Sequence, residues 1–413
     1  MPDMLGRDRE ILKPIVDRYL EIVNHPRQAG RKRLWADHYA MRSVATTPFS
    51  VYFEGMSGTA WEDALGPQVL RTTSPVARQI EDQLRKQTWM DEHVEDDTPK
   101  WRSVIVNCPV RHRTGWGVAL AEIDPHFRDG ARGFAAPFAD GIDLGQLRRP
   151  VIVPDLEAGR RACEEAAELV EGRLAVHLRY PAMGYNAFDV VVRMRGMGRV
   201  FTDLFDRPDE IHALMDFVTE AVVAHAKERQ AEGWLNVFYE DERTYVRGLH
   251  RIRACYPVAG PPTIADEWPY ISAQTSAGLG PQQFAQFVQP YHDRMARLCN
   301  RPTVYFHGCE CLDRKMFVIM KMPNLKHFHV SPYTNLDQAL EHLREDLILE
   351  VHCHPGDTFF AFSDEEVEAD VRDRMRRIAA RQCGLFLSDI HSINGRPERM
   401  AHWARVGRKY AAK

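Results

Sequence analysis

The chain has no apolar run near the roughly eighteen residues needed to span a bilayer, and its opening, MPDMLGRDRE, has no apolar signal core. Membrane insertion and secretion are therefore not expected, and a soluble cytoplasmic protein is. It also lacks a surplus of positive charge: Lys and Arg total 54 against 58 Asp and Glu, a formal net charge of −4. Wholesale binding to nucleic acid or an anionic membrane has no electrostatic basis on those numbers. No glycine-rich dinucleotide fingerprint follows a strand and no P-loop is present, so nucleotide binding has no support. No internal repeat or low-complexity tract stands out. Cysteine is sparse, eight in 413 residues, and a chain of this length without a secretion signal needs no disulfide framework.

What is present is a chain that is 44% hydrophobic, long enough for one large barrel-type domain. The first hundred residues differ from the rest. They carry isolated aromatics (Trp35, Tyr39, Phe49, Tyr52, Phe53, Trp61, Trp89) and an acidic patch at 91–97, with helical signals at 8–24 and 74–88. Residues 1–100 read as an N-terminal segment of helices and loops, a candidate lid over a main domain at 101–413.

Beyond residue 101, short β-branched or aromatic runs alternate with amphipathic stretches, the pattern of βα units around a parallel sheet. The strand candidates are 102–108, 187–194, 235–240, 303–309, 325–331, 347–353 and 384–390. Helices are expected at 207–232, stopped by Gly233, and at 281–299, opened by Pro281 and kinked at Pro290. Another opens at Ser363, whose hydroxyl and the following Asp364, Glu365 and Glu366 form a strong N-terminal signal. So many βα units predict an α/β fold, a (β/α)8 TIM barrel.

Barrel enzymes place chemistry at the C-terminal ends of strands. Those ends read His307-Gly308-Cys309-Glu310-Cys311, then His352-Cys353-His354, then Asp389-Ile390-His391, with Asp266 and Glu267 in the stretch IADEWPY. His307 and Cys309 are two residues apart on a strand end, so both side chains point the same way and can reach one ion. Zinc accepts this mixture of nitrogen and sulfur, and a site with three protein ligands keeps an open position. The plain alternative is a buried, hydrogen-bonded histidine beside an inert cysteine. Cys311 shares the parity of Cys309 and could be a third ligand or a core residue. His391 could be a ligand, a general acid/base or a surface histidine. Asp266 and Glu267 could ligate metal, position substrate or cap a helix.

Together these segments resemble the uroporphyrinogen decarboxylase superfamily, especially its zinc-dependent corrinoid and thiol methyltransferase branch. The resemblance covers about residues 187–411. It is carried by VVVRMRGMGRVFTDLFDRPDEIHALMDF, by SAGLGPQQFAQFVQPYHDRM, by YFHGCECLD at the branch's H-x-C strand end, and by LFLSDIHSINGRPERMAHWARVGRKY. It implies zinc at His307 and Cys309. The branch's third ligand, usually a cysteine near the last strand, falls at His391, where a histidine resembles the decarboxylase branch instead. Cys383 or Cys311 could take its place.

The expected function is movement of a methyl group between a small methylated substrate or thiol and a corrinoid carrier. The cobalamin would ride on a separate small corrinoid protein, and His391 or Glu267 would give acid/base help or coordinate the ion. A second reading is a metal-free decarboxylase of the uroporphyrinogen decarboxylase type, using Asp266 with Arg193 or Arg195. A third is a zinc- or corrinoid-binding accessory protein without catalysis. Oligomeric state is open, a homodimer included.

Overall fold

The computed structural model describes residues 2–52, 56–66, 70–124, 133–240, 243–248, 251–256 and 260–412, with side chains of 2–3 and 241–256 excepted. Phe53 and the side chain of Cys255 lie outside the described residues. Its centre is a six-stranded sheet in which every neighbouring pair is parallel. The spatial order is Phe49–Val51, Cys383–Leu387, Ile348–Cys353, Leu325–Val330, Val304–His307, Tyr270–Ser272. A single parallel bridge from Tyr185 to Ile271 extends the far edge. Four consecutive strand–connection–strand steps from Tyr270–Ser272 to Cys383–Leu387 account for most of the sheet, as the alternation of short apolar runs and helices predicts. Closure into an eight-stranded barrel is not seen in the strand pairing of the described residues.

Each central strand buries both faces. On Val304–His307 the residues Val304 and Phe306 face one way, among a large apolar cluster that includes Phe328, Leu349, Val351 and the helix residues Phe284, Met295 and Met375. Tyr305 and His307 face the other way. The same alternation puts His327 and His329, then Glu350 and His352, on that second face, so it is lined by polar groups that are nonetheless buried.

Helix Arg27–Tyr39 packs against this polar face near the strand starts: Tyr39 lies edge-on to His327 at 5.5 Å and to Trp268 at 5.6 Å, and Trp35 contacts Phe386 at 5.7 Å. A second apolar cluster joins helices Pro2–Asn24, Pro75–His93 and Leu156–Leu169 to a parallel pair of strands, Ser103–Asn107 and Ala175–Arg179. Residues on both sides of position 100 build it.

Several sequence expectations hold closely. The helix near Ser363 runs Asp364–Ile378 with a complete capping box between Ser363 and Glu366. The 281–299 helix divides at Val288 into Pro281–Phe287 and Gln289–Ala296, immediately before Pro290. Three strand expectations need correction. Residues 187–194 form helix Ala187–Arg195, whose buried Phe188, Val191, Val192 and Arg195 recur at i, i+3, i+4 and i+7. A dense apolar run suits a buried helix as well as a strand, and the helical period decides. Residues 235–240 give only the short strand Phe238–Glu240, paired antiparallel to Arg243–Gly248. The strand within 102–108 pairs with Ala175–Arg179 and does not join the six-stranded sheet. No helix among the described residues is long and apolar enough to cross a membrane.

Candidate metal centre and adjoining cavity

The strand Val304–His307 ends at His307, and the chain turns through Gly308 to bring Cys309 back over the same face. Nε2 of His307 lies 2.8 Å from Sγ of Cys309. A neighbouring strand supplies a third donor: His307, Cys309 and His329 each offer a ligand atom within 4.8 Å of the others. A tetrahedral zinc ion with bonds of about 2.0 Å to nitrogen and 2.3 Å to sulfur holds the two atoms about 3.6 Å apart. The observed pair is about 0.8 Å closer than that, so binding an ion there requires Cys309, which is half-buried, to move outward. Two imidazoles and one thiol form a donor set that fits zinc.

The histidines are held from behind by one hydroxyl. Tyr305 Oη lies 3.2 Å from Nδ1 of His307 and 3.0 Å from Nδ1 of His329, and it donates to Oε2 of Glu350 at 3.0 Å. A hydroxyl has one proton to give and two lone pairs. With the hydroxyl proton directed at Glu350, both histidines donate from Nδ1 to the Tyr305 oxygen, which makes Nε2 the lone-pair atom of each ring. That is the tautomer a ligating imidazole needs, fixed by a hydroxyl–carboxylate support. Glu350 is fully buried, and its other oxygen lies 3.0 Å from Nε2 of His327. A carboxylate this far from water requires such partners.

His329, Glu350 and His352 form a second close trio. The rings of His329 and His352 are stacked, 4.0 Å apart at 22°, so their in-plane lone pairs run side by side and do not converge. The Nδ1 of His352 lies 2.8 Å from the Ser388 hydroxyl. Whereas the second trio is fully buried, the His307–Cys309–His329 set adds a thiol and a part-exposed position. Around it, Gln274 Nε2 donates to Cys309 Sγ at 3.4 Å, and Asp389 Oδ2 lies 3.9 Å from the same sulfur.

The other residues singled out in the sequence are placed as follows. Cys311 is exposed, interacts with Asp313, and has its thiol pKa raised chiefly by desolvation; it belongs to neither trio. The His391 ring is exposed, while its carbonyl accepts from Ser57 Oγ at 2.5 Å; it too stands outside both trios. Asp266 is buried and caps a short turn, accepting from Thr263 N at 2.7 Å and Thr263 Oγ1 at 2.8 Å while pairing with Arg301. Glu267 pairs with Arg229 at 2.5 Å and accepts from the Asn236 backbone. Arg195 is buried against Asp203 and two backbone carbonyls, and Arg193 stacks on Phe134. Cys353 points to the opposite face of its strand, and burial pushes its thiol up to about 12. His354 meets the Tyr333 hydroxyl at 3.0 Å. Cys383 is fully buried.

His329, Tyr305 and Glu350 were not singled out as site residues from the sequence. Their signal was parity: H-F-H at 327–329 and E-V-H at 350–352 share the two-residue period of Y-F-H at 305–307.

Beside the donor set lies a cavity of about 870 Å³. Tyr270 links the two, lining the cavity while its ring stacks on His307 at 4.7 Å. Glu267, Arg229 and Ser272 are also in the wall, and Ser272 is the backbone neighbour of His307 across the sheet.

No family model matches the chain, and no curated protein matches it. Among solved structures it is similar to a methyltransferase from Methanosarcina mazei, with a TM-score of 0.57 over 92% of this chain and 98% of that one, at 11% sequence identity. At that identity the likeness shows a common fold.

Proposed function

We propose that the chain is a zinc-dependent methyltransferase that moves a methyl group between a small methylated substrate or thiol and a corrinoid carried on a separate protein. The observation that carries this reading is the nitrogen–sulfur–nitrogen donor set of His307, Cys309 and His329 at strand ends beside a large cavity. The fold shared with a methyltransferase supports it. The same reading takes the six parallel strands as part of an eight-membered barrel, with Tyr185 at the next position.

In this reading His307, Cys309 and His329 hold the ion, and bound zinc supplies the positive charge that lowers a thiol's pKa or polarises a methyl donor. Tyr305 and Glu350 keep both imidazoles in the ligating tautomer. Tyr270 stacks on the outer face of His307 and restricts its ring to one orientation. Gln274 and Asp389 approach Cys309, donating to it and placing a carboxylate near it. Glu267, held by Arg229 at the cavity wall, would exchange a proton with a bound substrate in this reading. Asp266 shapes the turn that presents it.

Metal analysis of purified protein tests this. About one equivalent of zinc is expected, falling on substitution of His307 or Cys309. Loss of methylcobalamin absorbance on adding a thiol would then report the transfer. Protein that neither carries nor takes up zinc sinks the proposal.

One observation favours the second reading, decarboxylation of a carboxylated substrate: cationic side chains outnumber carboxylates in the cavity wall. Arg193 and Arg195 are not among them. Conversion of uroporphyrinogen to coproporphyrinogen by zinc-stripped protein separates the two readings directly.

A further inference from the structure

We infer that Ser57 couples the metal centre to the cavity: it ties a lid helix, Gly58–Leu65, to the loop Asp389–His391 beside Cys309, so that loading the centre loosens the lid. This deepens the proposed function by giving the same site a conformational control, and it rests on the metal reading.

The helix has the placement of a lid. Met56, Gly58 and Trp61 are in the cavity wall, while Glu62 and Asp63 are exposed, so the wall there is one helix thick. A helix of eight residues is marginal in water by itself, and its order comes from what it is seated on. One part of the seat is apolar: Ala60 and Trp61 are buried in the main cluster, with Trp61 edge-on to Trp89 at 6.1 Å. Ser57 supplies the other part. Its amide donates to the Ile390 carbonyl at 3.0 Å and its hydroxyl to the His391 carbonyl at 2.5 Å. The same hydroxyl oxygen accepts from Ala60 N at 3.1 Å and so starts the helix.

The loop that holds Ser57 leads directly to the donor set. Asp389, next to Ile390, has a left-handed backbone at φ 55° and places Oδ2 3.9 Å from Cys309 Sγ. A residue other than glycine stays in that conformation when its surroundings fix it, and the thiol is one of those surroundings.

An ion held by His307, Cys309 and His329 changes the thiol in two ways. Ligation takes the thiolate, so the proton that Cys309 directs at Asp389 passes to solvent. Sγ also has to draw away from His307 Nε2, which lies 2.8 Å from it. Both changes alter the contact on Asp389, and the carbonyls under Ser57 belong to the next two residues. The loaded centre therefore holds the lid more loosely than the metal-free one, and the cavity opens after the ion is in place. Linkage makes the coupling reciprocal: a lid already loosened favours zinc by the same factor.

Hydrogen exchange of the full-length protein tests this, read by mass spectrometry on peptides covering Ser57–Gly66 with and without saturating zinc. Zinc should speed exchange of these amides about three- to tenfold, the span of one net hydrogen bond. Helix Asp364–Ile378 serves as the control and should not respond. Ser57→Ala should exchange fast in the lid with or without zinc, and by chelator competition should bind zinc about three- to tenfold more tightly. Ser57→Thr, which keeps the hydroxyl, should restore the response. Asp389→Gly, which suits the left-handed backbone but has no carboxylate, should lose it. A merely structural Ser57 would speed exchange on substitution and leave the zinc response intact. Zinc taken up with lid exchange unchanged, or a response that survives in Ser57→Ala, overturns the coupling and leaves the metal reading standing. Protein that takes up no zinc overturns both.

Discussion

Tyr305 Oη sits 3.0 Å from Glu350 Oε2, and this single contact orders the centre of the molecule. It commits the hydroxyl proton to the carboxylate, and so requires His307 and His329 to donate from Nδ1. The consequences for metal binding, stability and thiol reactivity can each be measured.

Removing one donor should cost most of the metal affinity. His307→Ala and Cys309→Ser are each expected to weaken zinc binding by about 100-fold or more, since one of three ligands is lost. Competition with a chromogenic chelator gives the constants. Unchanged zinc content in both variants would remove these residues from the site.

Tyr305→Phe keeps every ligand but removes their common support. Zinc affinity should fall by roughly 10- to 100-fold, the usual effect of losing an outer-shell partner. The same change leaves Glu350 short of a donor in the core, at a cost of about 1–3 kcal/mol in unfolding free energy. Chelator competition and urea titration read the two effects separately.

Cys311→Ser and His391→Ala should leave zinc content as it was, because neither side chain joins the donor set. Asp266→Ala should do the same while destabilising the protein by about 1–3 kcal/mol through loss of its cap and its pair with Arg301. A fall in bound zinc in any of the three would identify a ligand that the arrangement of His307, Cys309 and His329 leaves out.

Stability should decline as pH falls below about 6.5. Burial lowers the pKa of His292 to about 3 and that of His225 to about 4, from an ordinary 6.5. Above 6.5 both residues are neutral in folded and unfolded chains alike, and they add no pH dependence. Below it the unfolded chain takes up protons that the fold refuses, so stability drops by up to about 1.4 kcal/mol per pH unit for each histidine until the folded value is reached. His292→Phe, in a pocket beside Phe284 and Phe306, should flatten the dependence of the urea midpoint between pH 6.5 and 4. An unchanged slope would contradict the assignment.

Alkylation should separate the thiols. Burial pushes Cys299 and Cys353 up to about 12, so both should resist iodoacetamide at neutral pH until the protein unfolds. Exposed Cys311 should be modified first, and Cys309 only in protein without metal. Peptide mapping with and without zinc gives the order.

Much of this was legible locally. Ser363 with Glu366, and Pro290 at a helix break, are short-range signals that act within one turn of chain, and the structure carries both. Residues 187–194 have the β-branched composition of a strand, but the buried spacing of Phe188, Val191 and Val192 is helical, and packing of that face decides the outcome. Asp266 shows the opposite difficulty. A carboxylate before a polar loop looks the same in sequence whether it faces substrate or closes a turn on Thr263, and only the position of Arg301 distinguishes them.

By itself the sequence determined that Tyr305 and His307 share a face, because a period of two along one strand needs no information from elsewhere in the chain. Tertiary structure alone decided that His329 completes the set and that Tyr305 meets Glu350. Those meetings depend on the register between separate strands, Tyr305 beside His327 and His329 beside Glu350. Register is set by packing the whole apolar face of the sheet against its helices, a sum over many residues that no short segment encodes.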